Sequence, residues 1–135
     1  MRIKNIGFFS NHKDPEDNYA QQRFIWLYEI ASSNLNENII TICLDKIENW
    51  IDNEFELIND SKFDSYSASE RIIAWIFFVM FINKKYNMSK KLLIKITNSI
   101  SRQSKMIINN LEYHGDKTNN HILNNGRALY IIGMV

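Results

Sequence analysis

Residues that interrupt helices are rare in this chain. Its 135 residues include one proline and four glycines. So few chain breakers favour long helices over the turn-rich strands of a β sandwich. Apolar residues also recur at three- and four-residue spacing through most of the sequence, which is the period of an amphipathic helix. The sequence therefore predicts an all-α fold.

The apolar pattern predicts five helices joined by short polar segments. Residues 1–15 are expected to be irregular or briefly extended, and the remainder, 16–135, is expected to form one helical domain. Short connections between helices favour antiparallel helical hairpins. The helices are predicted at about 16–32, 37–55, 67–82, 89–112 and 120–132, with Ser67 or Ser69 capping the third, Ser89 the fourth and Asn119 or Asn120 opening the last.

Composition and charge exclude several classes of function. The net charge is +1 and no basic stripe is visible, so we expect no nucleic-acid partner. Cys43 is the only cysteine, which excludes an internal disulfide and predicts a buried small hydrophobe. His12, His114 and His121 are far apart in sequence, and no metal or other cofactor is expected.

No membrane span or leader is predicted from the sequence. The longest apolar run, Ile72 to Ile82, is about 11 residues, whereas a span needs about 20. This run therefore predicts a core helix. The apolar part of the first residues is too short and too interrupted for a signal peptide.

The most suggestive polar residues open the last predicted helix, at Asn119, Asn120 and His121. One interpretation is structural, because asparagine is a common helix cap. The other is functional, because a helix N-terminus can hold an anion such as a carboxylate. Residue types alone leave both interpretations open.

Three segments resemble one family. The stretch from Tyr113-His114-Gly115 through Asn119-Asn120-His121 to 128–133 resembles the Asn-Asn-His segment of the heparinase II/III-like family, which is similar to alginate lyases of the same architecture. Residues 69–75 resemble that family's Glu, Arg and Trp helix, and Trp50-Ile51 resembles the Trp that precedes it. The resemblance covers most of residues 16–135.

The resemblance implies a fold and a reaction. The helices would form part of an incomplete α/α toroid, followed in the family by a sheet-rich domain. Members cleave uronic-acid polysaccharides by β-elimination, so the expected partner is an acidic polysaccharide such as a heparan-like or alginate-like chain. Asn120 would neutralise the sugar carboxylate, and His121 would assist it or transfer a proton.

The resemblance also implies residues that bind substrate. Asn119 is a weaker candidate than its neighbour Asn120 for contact with the sugar. Glu70 and Arg71 would line or brace the cleft, although a salt-bridged helix start explains them equally well. Trp75 would be either a core residue or a platform for sugar stacking.

The sequence departs from the family where the remaining catalytic groups are expected. The family's catalytic Tyr and a further His lie downstream of the Asn-His segment, and Tyr130 follows His121 too closely to replace that Tyr. We therefore expect this chain alone to be inactive, as a fragment or a truncated product. Family members usually act in the periplasm or outside the cell, but the absence of a visible leader leaves the localisation open. The alternative is a non-catalytic helical interaction module in which Asn120 and His121 only begin a helix.

Overall fold

The computed structural model describes residues 15–33, 35–59, 64–111 and 119–135. All regular structure in these ranges is helical, which confirms the all-α prediction. The prediction of five helices was wrong, because these ranges contain seven: α1 Pro15–Gln22, α2 Trp26–Ala31, α3 Glu37–Asp52, α4 Glu54–Asn59, α5 Ser65–Ile82, α6 Lys90–Asn109 and α7 Asn120–Met134.

The first predicted helix is divided at Phe24. This residue has a φ of 59°, in the left-handed region that side chains larger than glycine rarely adopt. Its side chain is fully buried and its ring packs on Trp26 and Trp75, with centroids 5.5 and 5.3 Å away. Burial of this ring offsets the energetic cost of the left-handed backbone conformation. Because this conformation interrupts the helix, α1 and α2 are separate helices.

The second and third predicted helices also have different limits. Helix α3 ends at Asp52, and α4 covers the last residues of the predicted second helix and the first residues, 56–59, of the stretch predicted as a loop. Helix α5 begins before the predicted serine caps, because the Asp64 carboxylate accepts a hydrogen bond from Ser67 N at 2.7 Å. The predicted cap at Ser89 is confirmed by its hydrogen bond from Leu92 N at 3.2 Å. The polar turn predicted at 113–118 lies outside the described residues. So do residues 1–14 of the irregular segment predicted at 1–15, whereas Pro15 begins α1.

Helix α5 is central and contacts α1, α2, α6 and α7. By length and composition it could cross a membrane, but 67% of it is buried inside the protein. This burial agrees with the predicted core helix, and the absence of a membrane span stays a prediction. The main core cluster joins α5 to α2 and α3 and includes Phe24, Leu27, Cys43, Ile47, Trp50, Trp75 and Phe78.

Cys43 is a free, fully buried thiol in this cluster. Burial raises its pKa to about 12, because the thiolate would lose its hydration. The prediction of a buried small hydrophobe is therefore confirmed.

A second core cluster holds α6 and α7 against the first half of α5. Its buried members are Ala68, Ile72, Ile76 and Ile107, with apolar side chains of α7 packed against them. This packing places the first turn of α7 beside the first turn of α5. The polar residues that open these two helices therefore share one end of the structure.

Candidate functional site

A depression of about 410 Å³ lies where α1 and the first turns of α5 and α7 meet. Its volume is within the range of small-ligand sites, roughly 300–1,000 Å³. Polar and aromatic side chains line it: Glu16, Tyr19, Arg23, Asp64, Tyr66 and His121.

His121 is exposed and faces this depression. Its ring lies 4.9 Å from the Tyr66 ring, centroid to centroid. The capping role next to it belongs to Asn119, whose side chain accepts a hydrogen bond from Ile122 N at 3.0 Å. Asn120 is exposed, and among the described residues it is not one that lines the depression. The structural interpretation, a helix cap, thus applies to Asn119. The functional interpretation still applies to His121, whose side chain is accessible to a ligand.

Arg23 is the principal cation of the depression. Its guanidinium lies 5.0 Å from the centroid of the Tyr66 ring, a cation–π distance. Its Nε donates to Ser67 Oγ at 3.2 Å, and its Nη1 donates to Glu16 Oε1 at 2.6 Å. These three contacts fix the plane of the guanidinium.

The negative charges in the depression have different surroundings. Asp64 is half-buried and its Oδ1 is used as the cap of α5. Glu16 is largely exposed, and its Oε1 accepts a hydrogen bond from Arg23 Nη1. An anionic ligand would therefore meet hydrogen-bond donors on Arg23 and His121, but it would also have to compete with Glu16.

Arg71 supports the depression from inside the core. Its side chain is fully buried, Nη1 donates to Gln22 O at 2.7 Å, and Nε donates to Gln103 Oε1 at 2.8 Å. The guanidinium also lies 4.0 Å from the centroid of a Trp50 ring. Because Gln22 directly precedes Arg23, this side chain braces the end of α1. A role of Arg71 in binding substrate stays a prediction.

The pKa of Arg71 is lowered to about 9, chiefly by burial, while the nearby carboxylates of Asp64 and Glu54 oppose the shift. A pKa in this range still leaves the guanidinium charged at neutral pH. The protein therefore maintains a buried cation beneath the depression, stabilised by hydrogen bonds and by the Trp50 ring.

Glu70 pairs with Arg127 of α7, with 2.7 Å between Oε1 and Nη2. It thus links α5 to α7, and it does not line the depression in the described part of the chain. Trp75 is fully buried and packs edge-on against Phe24 and Trp50. This position explains Trp75 as a core residue; a sugar-stacking role for it stays a prediction without structural support.

Asn125 fixes α7 on α5. The Ser69 hydroxyl has one proton, and it donates that proton to Ser65 O at 2.8 Å. The Asn125 amide nitrogen therefore faces three acceptors, Ser69 Oγ at 2.8 Å, Ser65 O at 3.1 Å and His121 O at 3.3 Å. This buried amide positions the turn of α7 that carries His121.

Sequence reasoning missed Arg23 and Tyr66 as residues of the site. Both lie in polar stretches that predicted ordinary helix or loop surface, and 43 positions separate them. Nothing in the sequence indicates that α1 ends at Gln22 and turns Arg23 toward α5. The aromatic and basic residue types were visible, but their proximity depends on the turn at Phe24.

The comparisons with known proteins give no assignment: no protein family, no curated protein and no solved structure matches this chain. Among residues 15–33, 35–59, 64–111 and 119–135, no group of three or more His, Cys, Asp or Glu side chains could hold a metal ion.

Proposed function

We propose that this chain is the N-terminal helical part of a polysaccharide lyase that cleaves uronic-acid-containing polysaccharide by β-elimination. In this proposal the described helices form part of an incomplete α/α toroid. The observation that carries the proposal is the exposed imidazole of His121 in a depression that also holds Arg23 and Tyr66. The resemblance of Asn119-Asn120-His121 to a lyase segment supplies the reaction.

The proposed reaction removes the proton at C5 of the uronate and breaks the bond between C4 and the leaving oxygen. The electrons of the C5–H bond form a C4–C5 double bond, and the leaving oxygen takes up a proton. Charge builds up on the carboxylate side of the sugar as the C5 proton leaves. The His121 imidazole, which faces the depression, would stabilise this charge in the transition state. The resemblance assigns the same role to the Asn120 amide, which is not among the described residues that line the depression.

The roles of base and acid need groups beyond these donors. A Tyr or His would accept the C5 proton and a Tyr or His would protonate the leaving oxygen. The resemblance implies that a Tyr and a further His follow the Asn-His segment in such a lyase. Lyase activity is therefore proposed for a longer protein that includes this chain.

The test uses the chain extended by its downstream coding sequence. Incubation with heparan-like and alginate-like polysaccharides should produce unsaturated uronate, measured by its ultraviolet absorbance. Replacing Asn120 or His121 with Ala should lower kcat/KM by about 100-fold or more. Asn98→Ala, an exposed asparagine on α6, is the matched control and should retain activity. Full activity in both site variants, or no product from any acidic polysaccharide, would refute the proposal.

A helical interaction module is the second candidate, because the surface also carries an apolar depression. This depression, of about 620 Å³, lies between α2 and α5. Exposed Phe77, Met80 and Phe81 line it, with Lys84 and Lys85 at one end. Apolar patches rimmed by polar residues often mark protein contacts. Under this candidate, Phe77→Ser would abolish a partner interaction that His121→Ala leaves unchanged.

A further inference from the structure

We infer that Arg23 binds the carboxylate of the sugar, and that Glu16 occupies this position on Arg23 until the sugar displaces it. This inference rests on the proposed function, because it assumes that the depression takes a uronate. In this inference Arg23 determines specificity for an anionic sugar. Glu16 is a carboxylate of the protein itself that competes with the sugar for Arg23.

The guanidinium of Arg23 is arranged in advance for a carboxylate. Its Nε donates a hydrogen bond at 3.2 Å to Oγ of Ser67, which is buried in the first turn of α5. The ring of Tyr66 lies 5.0 Å from the guanidinium carbon. A planar guanidinium held in this way loses little conformational freedom when it pairs with a carboxylate. Its Nη1 is directed into the depression, where it meets Glu16.

Glu16 is suited to be displaced. Its side chain is 63% exposed, whereas that of Arg23 is 17% exposed. An ion pair with one partner so exposed contributes little to stability, because water solvates the carboxylate nearly as well. A sugar carboxylate offers Arg23 the same two oxygens and adds contacts from the rest of the sugar. The other acid of the depression, Asp64, is committed as the cap of α5.

The placement of His121 agrees with this arrangement. Arg23 and His121 both lie against the Tyr66 ring, at 5.0 and 4.9 Å. A uronate that pairs with Arg23 is therefore held in the same depression as the imidazole proposed to act on it.

Isothermal titration of the 135-residue chain with a uronate oligosaccharide tests the inference. Glu16→Gln removes the competing charge and should tighten binding by roughly two- to fivefold, the loss of an exposed ion pair. Arg23→Gln should weaken binding by about tenfold or more, because a charge-assisted hydrogen bond is lost. Arg23→Lys keeps the charge without the planar fork and should fall between Arg23→Gln and the parent chain. Circular dichroism confirms that each variant is folded.

Two controls make the result specific. Glu29→Gln, at an exposed position on α2 outside the depression, should leave affinity unchanged. A neutral oligosaccharide of the same length should not gain affinity from Glu16→Gln. Unchanged or weaker uronate binding by folded Glu16→Gln would overturn the inference, as would unchanged binding by folded Arg23→Gln.

Failure of this inference is distinguishable from failure of the proposed function. If His121→Ala abolishes lyase activity in the extended protein while Glu16→Gln leaves uronate affinity unchanged, the inference about Glu16 and Arg23 is refuted and the proposed lyase function stands. If neither the parent chain nor Glu16→Gln binds a uronate and the extended protein yields no unsaturated product, both proposals fail.

Discussion

The Nε of Arg71 donates a 2.8 Å hydrogen bond to Oε1 of Gln103 in the interior of the protein. Gln103 in turn donates to Ser99 Oγ at 3.0 Å. The pair joins α5 to α6, and a second hydrogen bond from Arg71 reaches Gln22 at the end of α1. The same guanidinium therefore connects the interior of the helical fold to the segment that carries Arg23.

Arg71→Ala should lower the free energy of unfolding by about 3 kcal/mol or more. The substitution removes buried donors from Gln103 and Gln22 and leaves a cavity. Urea unfolding followed by circular dichroism measures the change. Arg127→Ala, which removes a largely exposed guanidinium from the pair with Glu70, should cost about 1 kcal/mol or less. Equal effects of the two substitutions would contradict a special role for Arg71.

Asn125→Asp should destabilise the protein by about 3 kcal/mol at neutral pH. The new carboxylate would be fully buried and would face acceptors on Ser65, Ser69 and His121 without a proton to donate. Its pKa in the folded state would be raised above the ordinary value for Asp. The stability deficit should therefore narrow as the pH falls, since the protonated acid can donate again.

The exposed Asn98→Asp is the matched control for this substitution. It should change the free energy of unfolding by no more than about 0.5 kcal/mol at any pH where the parent is folded. Thermal unfolding of both variants between pH 5 and pH 8 gives the comparison. A deficit for Asn125→Asp that does not depend on pH would argue against the proposed orientation of the amide.

Lys95→Met should lower the free energy of unfolding by less than about 1 kcal/mol, because Glu48 and Asp52, the carboxylates that Lys95 pairs with, are 40% and 56% exposed. The Lys95 ammonium donates hydrogen bonds to the carboxylates of Asp52 and Glu48, and these bonds, that to Asp52 most, raise the pKa of Lys95 above its ordinary value of 10.5. Because this pKa is raised, the ion pairs of Lys95 with Asp52 and Glu48 stabilise the fold below pH 10.5. Their contribution disappears as the pH rises through the folded-state pKa of Lys95.

Salt separates this charge effect from a packing effect. In 1 M NaCl the difference between Lys95→Met and the parent should largely vanish, because exposed ion pairs are screened. Lys91→Met, at an exposed position on the same helix, serves as the control and should show little dependence on salt. A difference that survives high salt would indicate lost packing by the Lys95 side chain.

Asn119→Ala should destabilise the protein by about 1 kcal/mol, since the cap of α7 is lost. Asn120→Ala should change stability by no more than about 0.5 kcal/mol, because its side chain is exposed. Chemical unfolding of the two variants side by side checks the difference. If Asn120→Ala were the more destabilising, the assignment of the cap to Asn119 would be wrong.

The sequence predicted the helical class, the cap at Ser89, an asparagine at the start of α7 and the burial of Cys43, because each depends on local spacing or residue type. It left open which of Asn119 and Asn120 is the cap. It did not predict the division at Phe24, where the energy of a buried ring outweighs local helix preference. The position of Arg71 in the core was also hidden. A charged residue after Glu70 is typical of a solvent-exposed first turn of a helix. The burial of Arg71 is possible only because Gln22, Gln103 and Trp50 contact its guanidinium in the folded protein.

The contact between Arg71 and Gln103 constrains how sequences related to this one can diverge. A relative with an apolar residue at position 71 would leave the side-chain oxygen of Gln103 without its donor, so change at position 71 favours compensating change at position 103. Positions 71 and 103 should therefore vary together, although they belong to two different helices. Tracking this coupled variation would reveal which homologues keep the same support beneath residue 23.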